Sequence, residues 1–437
     1  MRILVSPSGL IKKQTLTNEC EYRENVYTIT HSYKESVVVY NFFNDCLVFF
    51  SKEEYENIML DKNNTFLIEN WFFVPKNFDE YSLAQKIRSK ISSTKTPTFE
   101  KISAYTIMTT TDCNAQCYYC YEFGRKKIHM PEKVANDLAD YIIKKYNGKS
   151  VKLRWFGGEP LYNEKVIDII VNKLKENDIN YSSSMISNAY LVDETKIEKY
   201  KKEWKLTNIQ ITLDGIVEEY NTIKNYIYNN DVNPFEKVVK NIESLINNEI
   251  AVSIRLNLSS LNKESLVSLI DYCSEKFKGN KYFSMYVHNI FDEEKSEDED
   301  FLKSIYKDLE DVKKHISSKF GYRSGKIKRK LTNKVCMANS GSSLVVSPLG
   351  ELGLCEHYSE SEFIGSIYKE GFDEKVINSW NERREEYEGL CKNCPLFPSC
   401  YRLKKCENSF CNKFKRYNEI KNYRLILNKI IQHEIKK

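Results

Sequence analysis

From about residue 101 to about residue 290, strand-like runs alternate with helical ones, and this alternation limits the fold more than any other feature of the chain. The strand-like runs are ISAYTIMTT, SVKLRWF, YSSSMIS, NIQITLD, AVSIRLNL and YFSMYVHNI. Between them lie helical stretches such as PEKVANDLADYIIKKY, where Pro131 suits a first helical turn, and PFEKVVKNIESLINN. Six strand-then-helix units predict an α/β fold with a parallel sheet and reactive side chains at the carboxyl ends of the strands. In the last helix Leu266, Leu269, Ile270 and Cys273 recur at helical spacing, so Cys273 reads as core.

The first of these strands runs into TTTDCNAQCYYCYEFG, which sets Cys113, Cys117 and Cys120 at spacings of four and three. Three thiolates so placed can wrap one compact inorganic centre. A four-iron cluster ordinarily takes four cysteines, so three leave one iron with a vacant position. A zinc site or a few buried thiols is the alternative. The thirteen cysteines favour metal over disulfides, because MRILVSPSGLIKKQ lacks the profile of a secretory signal. Ten of them fall in two places, Cys113 to Cys120 and Cys336 to Cys411. Lys and Arg (66) nearly balance Asp and Glu (61), giving +5, too even to argue for nucleic acid, and no nucleic-acid partner is expected. No apolar run is long enough to span a bilayer, and the expected location is the cytoplasm.

Further strand ends carry polar residues. The second is followed by FGGEP, where Gly157 and Gly158 let backbone approach a ligand and Glu159 can accept from an ammonium group; a plain turn is the alternative. Ser187 and Asn188 end the third, and Asp214 ends the fourth, where a cap or turn role is equally open. Arg255 lies inside an apolar strand, where an unpaired charge would be costly.

The cysteine spacing, with the aromatic Tyr119 before the last cysteine, resembles the signature of the radical S-adenosylmethionine (radical SAM) family. The resemblance implies a partial (β/α)6 TIM-like barrel with the cysteine loop after its first strand. It also implies a [4Fe-4S] cluster on Cys113, Cys117 and Cys120, whose open iron binds the amine and carboxylate of S-adenosylmethionine and cleaves it to a 5′-deoxyadenosyl radical. By the same resemblance Tyr119, Gly157, Gly158, Glu159, Ser187, Asn188, Asp214 and Arg255 are expected around the cofactor.

The second group, Cys336, Cys355, Cys391, Cys394, Cys400, Cys406 and Cys411, resembles the SPASM extension of that family, with the hairpin SLVVSPLGELGLC and then CKNCPLFPSC. The resemblance implies two auxiliary [4Fe-4S] clusters. Cys391, Cys394, Cys400 and Cys411 would hold the distal one. Cys336, Cys355 and Cys406 would hold the proximal one, which lacks a fourth thiolate; His357, water or a substrate sulfur could complete it. A tight pair such as Cys391 and Cys394 alone would suit zinc equally.

Residues 1–95 alternate apolar and polar residues in ENVYTITHSYKESVVVYNFFNDCLVFFSKEEYENIML, with a turn at Asn44 and Asp45 and a helix capped by Ser51. A strand-like FLIENWFFVP and a helical DEYSLAQKIRSKIS follow, and Cys20 and Cys46 read as small core thiols. The region resembles winged-helix-like peptide-recognition domains of enzymes that modify ribosomally made peptides, which implies leader binding at a sheet edge; a structural cap is the alternative. The linker SSTKTPTFEK separates it from the barrel, expected at 100–325, with the SPASM domain at 330–437. The acidic run DEEKSEDED and the basic KIKRK read as solvated charge, flanking the amphipathic helix FLKSIYKDLEDVKKHISSKF. The expected function is a radical SAM/SPASM maturase that cross-links a precursor peptide through a thioether or carbon–carbon bond, fed by an external low-potential electron donor. A sulfatase-maturase-like, protein-oxidising enzyme is the alternative, and a zinc or iron–sulfur binding protein is the non-enzymatic one.

Overall fold

The computed structural model describes residues 1–436 apart from 17–19, 94–97, 123, 229–231, 291–297, 322–335, 358–361, 388, 401 and 407–410. Part of the expected linker, most of the acidic run and the whole of KIKRK lie outside the described residues. The chain forms two compact units. One comprises Met1–Thr96, Ser324–Cys336 and Ser379–Lys437; the other comprises Pro97–Arg323 and Met337–Asn378. The first break falls between Thr96 and Pro97, and the C-terminal cysteine-rich stretch is divided between the two units. Its hairpin extends the barrel sheet, and its last helix shares a core with the N-terminal strands.

In the first unit β1 (Arg2–Val5), β3 (Thr28–Tyr33), β4 (Ser36–Asn41) and β5 (Cys46–Ser51) form an antiparallel sheet in the order β1-β5-β4-β3, and β2 (Tyr22–Glu24) pairs with β6 (Phe73–Pro75). Alternation along β4 sends Val38 and Tyr40 to one face and Val37 and Val39 to the other. Both faces are covered, which explains why every residue from Val37 to Asn41 is buried. Helix α1 (Lys52–Asp61) starts at Ser51 in a full capping box with Glu54. Within the strand-like FLIENWFFVP the first part is instead helix α2 (Thr65–Glu69). Asn64 accepts from Leu67 N and caps it, a local bond that overrides the β-propensity of the run. Helix α3 (Glu80–Ser93) closes the segment.

The second unit holds the strands expected from the alternation: β7 (Ala104–Thr110), β8 (Val151–Gly157), β9 (Tyr181–Ser187), β10 (Leu206–Thr212), β11 (Ala251–Leu258) and β12 (Phe283–Asn289). They pair in parallel, in sequence order, as a partial (β/α)6 barrel. The intervening helices are α4 (Glu132–Lys145), α5 (Glu164–Glu176), α6 (Ile197–Lys202), α7 (Val217–Lys224), α8 (Pro234–Asn247), α9 (Lys263–Phe277) and, after β12, α10 (Glu299–Phe320). Pro131 sits at the N-cap of α4, just before the first turn. In α8 the residues Phe235, Val238, Val239, Ile242, Leu245 and Ile246 are buried at helical spacing, and Cys273 is buried on α9.

Beyond β7 the sheet continues with β13 (Ser343–Val346), parallel to β7, then antiparallel β14 (Glu351–Gly353) and β15 (Gly365–Ser366). Helix α11 (Glu374–Asn381) carries the chain from one unit into the other. The closing helix α12 (Lys413–Ile435) packs Leu427, Ile430 and Ile431 on Ile29, Val38 and Tyr40. Each such buried side chain contributes about 1.5–3 kcal/mol.

Candidate active site

Strand β7 delivers the cysteines. Thr110, its last residue, accepts through Oγ1 from Asp112 N at 2.9 Å and donates to Ile128 O at 3.1 Å, so the loop leaves the strand in a fixed turn. Cys113 N donates to Asp112 Oδ1 at 2.9 Å, and Cys120 N donates to Cys117 O at 3.1 Å. Two contacts hold the loop from outside: Gln116 N donates to Lys224 O (2.8 Å), and Ile227 N donates to Asn114 O (3.0 Å).

The GGEP segment lies hard against this loop. Glu159 N donates to Asp112 O at 2.9 Å and Gly158 N donates to Thr110 O at 3.0 Å. A Cβ on Gly157 would stand 2.0 Å from Thr110 O, and one on Gly158 would stand 2.2 Å from Asp112 O. Gly157 also has φ +123°, so here glycine is a requirement of close approach and of conformation. The Glu159 carboxylate is fully buried and accepts from Ser187 Oγ (2.8 Å), Asn188 N (2.8 Å) and Leu161 N (3.1 Å). Burial pushes it up to about 7 even so, because three neutral donors only partly replace water. Asn188 donates through Nδ2 to Asn114 Oδ1 at 2.7 Å and lies 3.8 Å from Cys113 Sγ.

Asp214 is also fully buried, and its oxygens are committed within the chain. Oδ2 takes the Tyr119 hydroxyl (2.6 Å) and the Lys224 ammonium (2.7 Å); Oδ1 takes Asn257 Nδ2 (2.9 Å). Arg255, half-buried, donates through Nε to Asn257 Oδ1 at 2.9 Å. Burial opposes the charge on Lys224, but Asp214 and Cys117 beside it hold its pKa well above the usual value. The structure thus gathers Cys113, Cys117, Cys120, Tyr119, the glycines, Glu159, Ser187, Asn188 and Asp214 into one hydrogen-bonded region, and links Arg255 to it through Asn257. Lys224, Asn114 and Asn257 belong to this region without any signal in the sequence. A lysine ending a short helix and two asparagines look like surface residues until the chain is folded.

The donor set suits a metal cluster. The three thiols are half-buried and free of disulfides. Burial, then Glu159, Cys117 and Cys120 push the Cys113 thiol up to about 12, so holding it as a thiolate takes a positive charge nearby. The three thiols do not crowd onto one point: among the described residues no three His, Cys, Asp or Glu side chains converge as a single ion would require. Cysteine sulfur is the donor type that soft metals and iron–sulfur groups take.

In the other unit Cys391, Cys394, Cys400 and Cys411 line one cavity together with Arg88, Arg402, Arg416 and Glu419. Cys391 Sγ accepts from Tyr387 N at 3.3 Å, and Arg402 pairs with Glu419 at 2.8 Å. Of the remaining three, Cys336 and Cys406 belong to this unit and Cys355 to the barrel unit, where it follows β14. Cys355 Sγ accepts from His357 N at 3.4 Å, and the His357 ring lies tilted by 33° against Tyr121 of the cysteine loop with centroids 4.1 Å apart.

Comparison with known proteins agrees with this geometry. Residues 107–273 match the radical SAM superfamily. Over 481 aligned residues the chain is 23% identical to the radical SAM cyclopropyl synthase TigE of Paramaledivibacter caminithermalis, covering 95% of this chain and 90% of TigE. Among solved structures, native anSMEcpe with bound AdoMet superposes with a TM-score of 0.58 at 17% identity, covering 74% of this chain and 98% of that one. Streptococcus suis SuiB bound to its precursor peptide SuiA gives a TM-score of 0.52 at 14% identity, covering 90% and 99%. Among the described residues no helix is long and apolar enough to cross a membrane.

Proposed function

We propose that this chain, whose residues 107–273 match the radical SAM superfamily, is an enzyme of that superfamily that oxidatively cross-links a ribosomally made precursor peptide. The observation that carries the proposal is the pairing of two cysteine sites. One is a three-thiol loop walled by Gly157 and Gly158; the other is a cavity lined by four more cysteines. In this reading Cys113, Cys117 and Cys120 hold the first [4Fe-4S] cluster. Cys391, Cys394, Cys400 and Cys411 hold a distal auxiliary cluster, and Cys336, Cys355 and Cys406 hold a proximal one. A cluster held by Cys113, Cys117 and Cys120 would supply the low-potential electron for reductive cleavage of S-adenosylmethionine. The protein's part is to orient one substrate C–H bond and to exclude water and competing hydrogen donors.

Within that division of labour the GGEP backbone would receive the methionine amine of the cofactor, and Arg255 would pair with its carboxylate. Glu159, Ser187 and Asn188 brace the loop that carries Cys113, since their side chains already bond to one another and to Asn114. With one hydrogen atom taken by the deoxyadenosyl radical, forming the new bond would release one electron and one proton, and an auxiliary centre would give that electron somewhere to go. The likeness to SuiB with its precursor peptide SuiA bound, over 90% of this chain, supports a peptide substrate, and the cyclopropyl in TigE's name supports a carbon–carbon bond. The N-terminal sheet would bind the leader by strand addition, and an external low-potential donor would reduce the first cluster.

Anaerobic reconstitution tests the proposal. Iron and sulfide of about twelve per chain, deoxyadenosine on reduction, and a precursor peptide lighter by two hydrogens support it. Zinc with no deoxyadenosine rejects it.

A further inference from the structure

A fully buried ion pair sits against the cysteine loop. Lys224 and Asp214 keep 2% and 0% of their side-chain exposure, with Nζ and Oδ2 2.7 Å apart. Taking an ammonium out of water costs several kcal/mol unless geometry and hydrogen bonding repay it. Here they do: Nζ also donates to Thr212 Oγ1 at 2.7 Å and to the Tyr119 hydroxyl at 2.9 Å. That hydroxyl in turn donates to Asp214 Oδ2 at 2.6 Å, closing a ring of three. Asn257 fixes the other carboxylate oxygen, and Asn262 holds the Asp214 carbonyl at 2.9 Å.

Lys224 grips the loop at both its ends. Its carbonyl takes Gln116 N, immediately before Cys117, and its ammonium takes Tyr119, immediately before Cys120. The ammonium lies 5.6 Å from the centre of the Tyr119 ring. A pair retained only for packing would have no reason to meet the loop twice. Buried pairs of this kind can often be replaced by apolar residues without loss.

We propose that Lys224 is a positioning residue for the first cluster. Held by Asp214, it fixes the turn from Cys117 to Cys120 and places a permanent positive charge beside it. This rests on the assignment of Cys113, Cys117 and Cys120 as cluster ligands. Taking up an electron from the external donor makes the cluster more negative, and a nearby cation in a dry site favours that state. Lys224 therefore raises the potential of this centre relative to a neutral residue at the same place.

The test is an anaerobic redox titration of the reconstituted full chain, following the paramagnetic signal that changes when S-adenosylmethionine is added. Wild type, K224R, K224M and K224M/D214N are compared. K224R should titrate with the wild type. K224M, which leaves the Asp214 charge unopposed, should be at least tenfold harder to reduce, a potential about 59 mV more negative. The double variant carries no unpaired buried charge, so it guards against a mere failure to fold, and it should fall between the two. A double variant at or above the wild-type potential would overturn the inference. A wild-type preparation with no signal responsive to S-adenosylmethionine would overturn the cluster assignment itself, and the inference with it.

Discussion

Gly158→Ala isolates the contact between the GGEP backbone and the cysteine loop. Gly158 lacks the positive φ of Gly157, so an added methyl group carries no conformational cost of its own. It would stand 2.2 Å from Asp112 O, 2.5 Å from Asp112 C and 3.0 Å from Thr111 O. All three are backbone atoms, and none can rotate away. Relief requires the residue before Cys113 to move by on the order of 1 Å, and overpacking of this kind costs about 1–3 kcal/mol. That is a noticeable part of a total stability of about 5–15 kcal/mol. The functional effect should exceed the loss of stability, because a shift of about 1 Å in a positioned group can lower a rate by roughly a hundredfold. Gly148→Ala is the matched control. Gly148 has φ +80° with nothing within 4 Å of the added carbon, so it carries only the left-handed backbone cost of about 1–2 kcal/mol. Urea denaturation and initial rates of deoxyadenosine release, measured on both variants after reconstitution, give the comparison. If G158A releases deoxyadenosine as fast as G148A, the wall against the loop does not position it, and the reasoning fails.

Two further outcomes follow from the same structure. Cys117→Ala should abolish deoxyadenosine release, whereas Cys394→Ala should retain part of it while losing cross-linked peptide; equal loss in both, read by chromatography and mass spectrometry, would remove the separate roles of the two cysteine sites. Burial raises Glu159 from 4.5 to about 7, so between these values the folded chain keeps a proton that the unfolded chain has released. The metal-free protein should therefore lose up to about 3 kcal/mol as pH rises through that window, and E159Q should lack this part of the slope; identical slopes in urea midpoints at pH 5 and pH 8 would show that Glu159 is not held protonated.

The barrel strands were legible because parallel, doubly covered strands are short apolar runs separated by amphipathic helices, and such runs survive in one dimension. FLIE was not, since a single bond from Leu67 N to the Asn64 side chain outweighed an apolar run that suits a strand. The division of the C-terminal stretch was equally hidden. Nothing local in Leu427, Ile430 and Ile431 says that their partners are Ile29, Val38 and Tyr40, nearly four hundred positions earlier.

The chemistry of the site belongs to the sequence. Three cysteines within eight residues, two adjacent glycines after the next strand and a second cysteine group are covalent facts, and their residue types alone select soft metal and close backbone approach. The electrostatic setting belongs to the fold. A charge at a strand end or in an apolar strand demands a partner, and the sequence left open which groups partner Asp214 and Arg255. Only packing showed that Asp214's partners are Lys224, Tyr119 and Asn257, and that Arg255 reaches the same network. A charge's partner is whichever group the tertiary structure leaves within about 3 Å once water is gone, and sequence separation does not encode that distance.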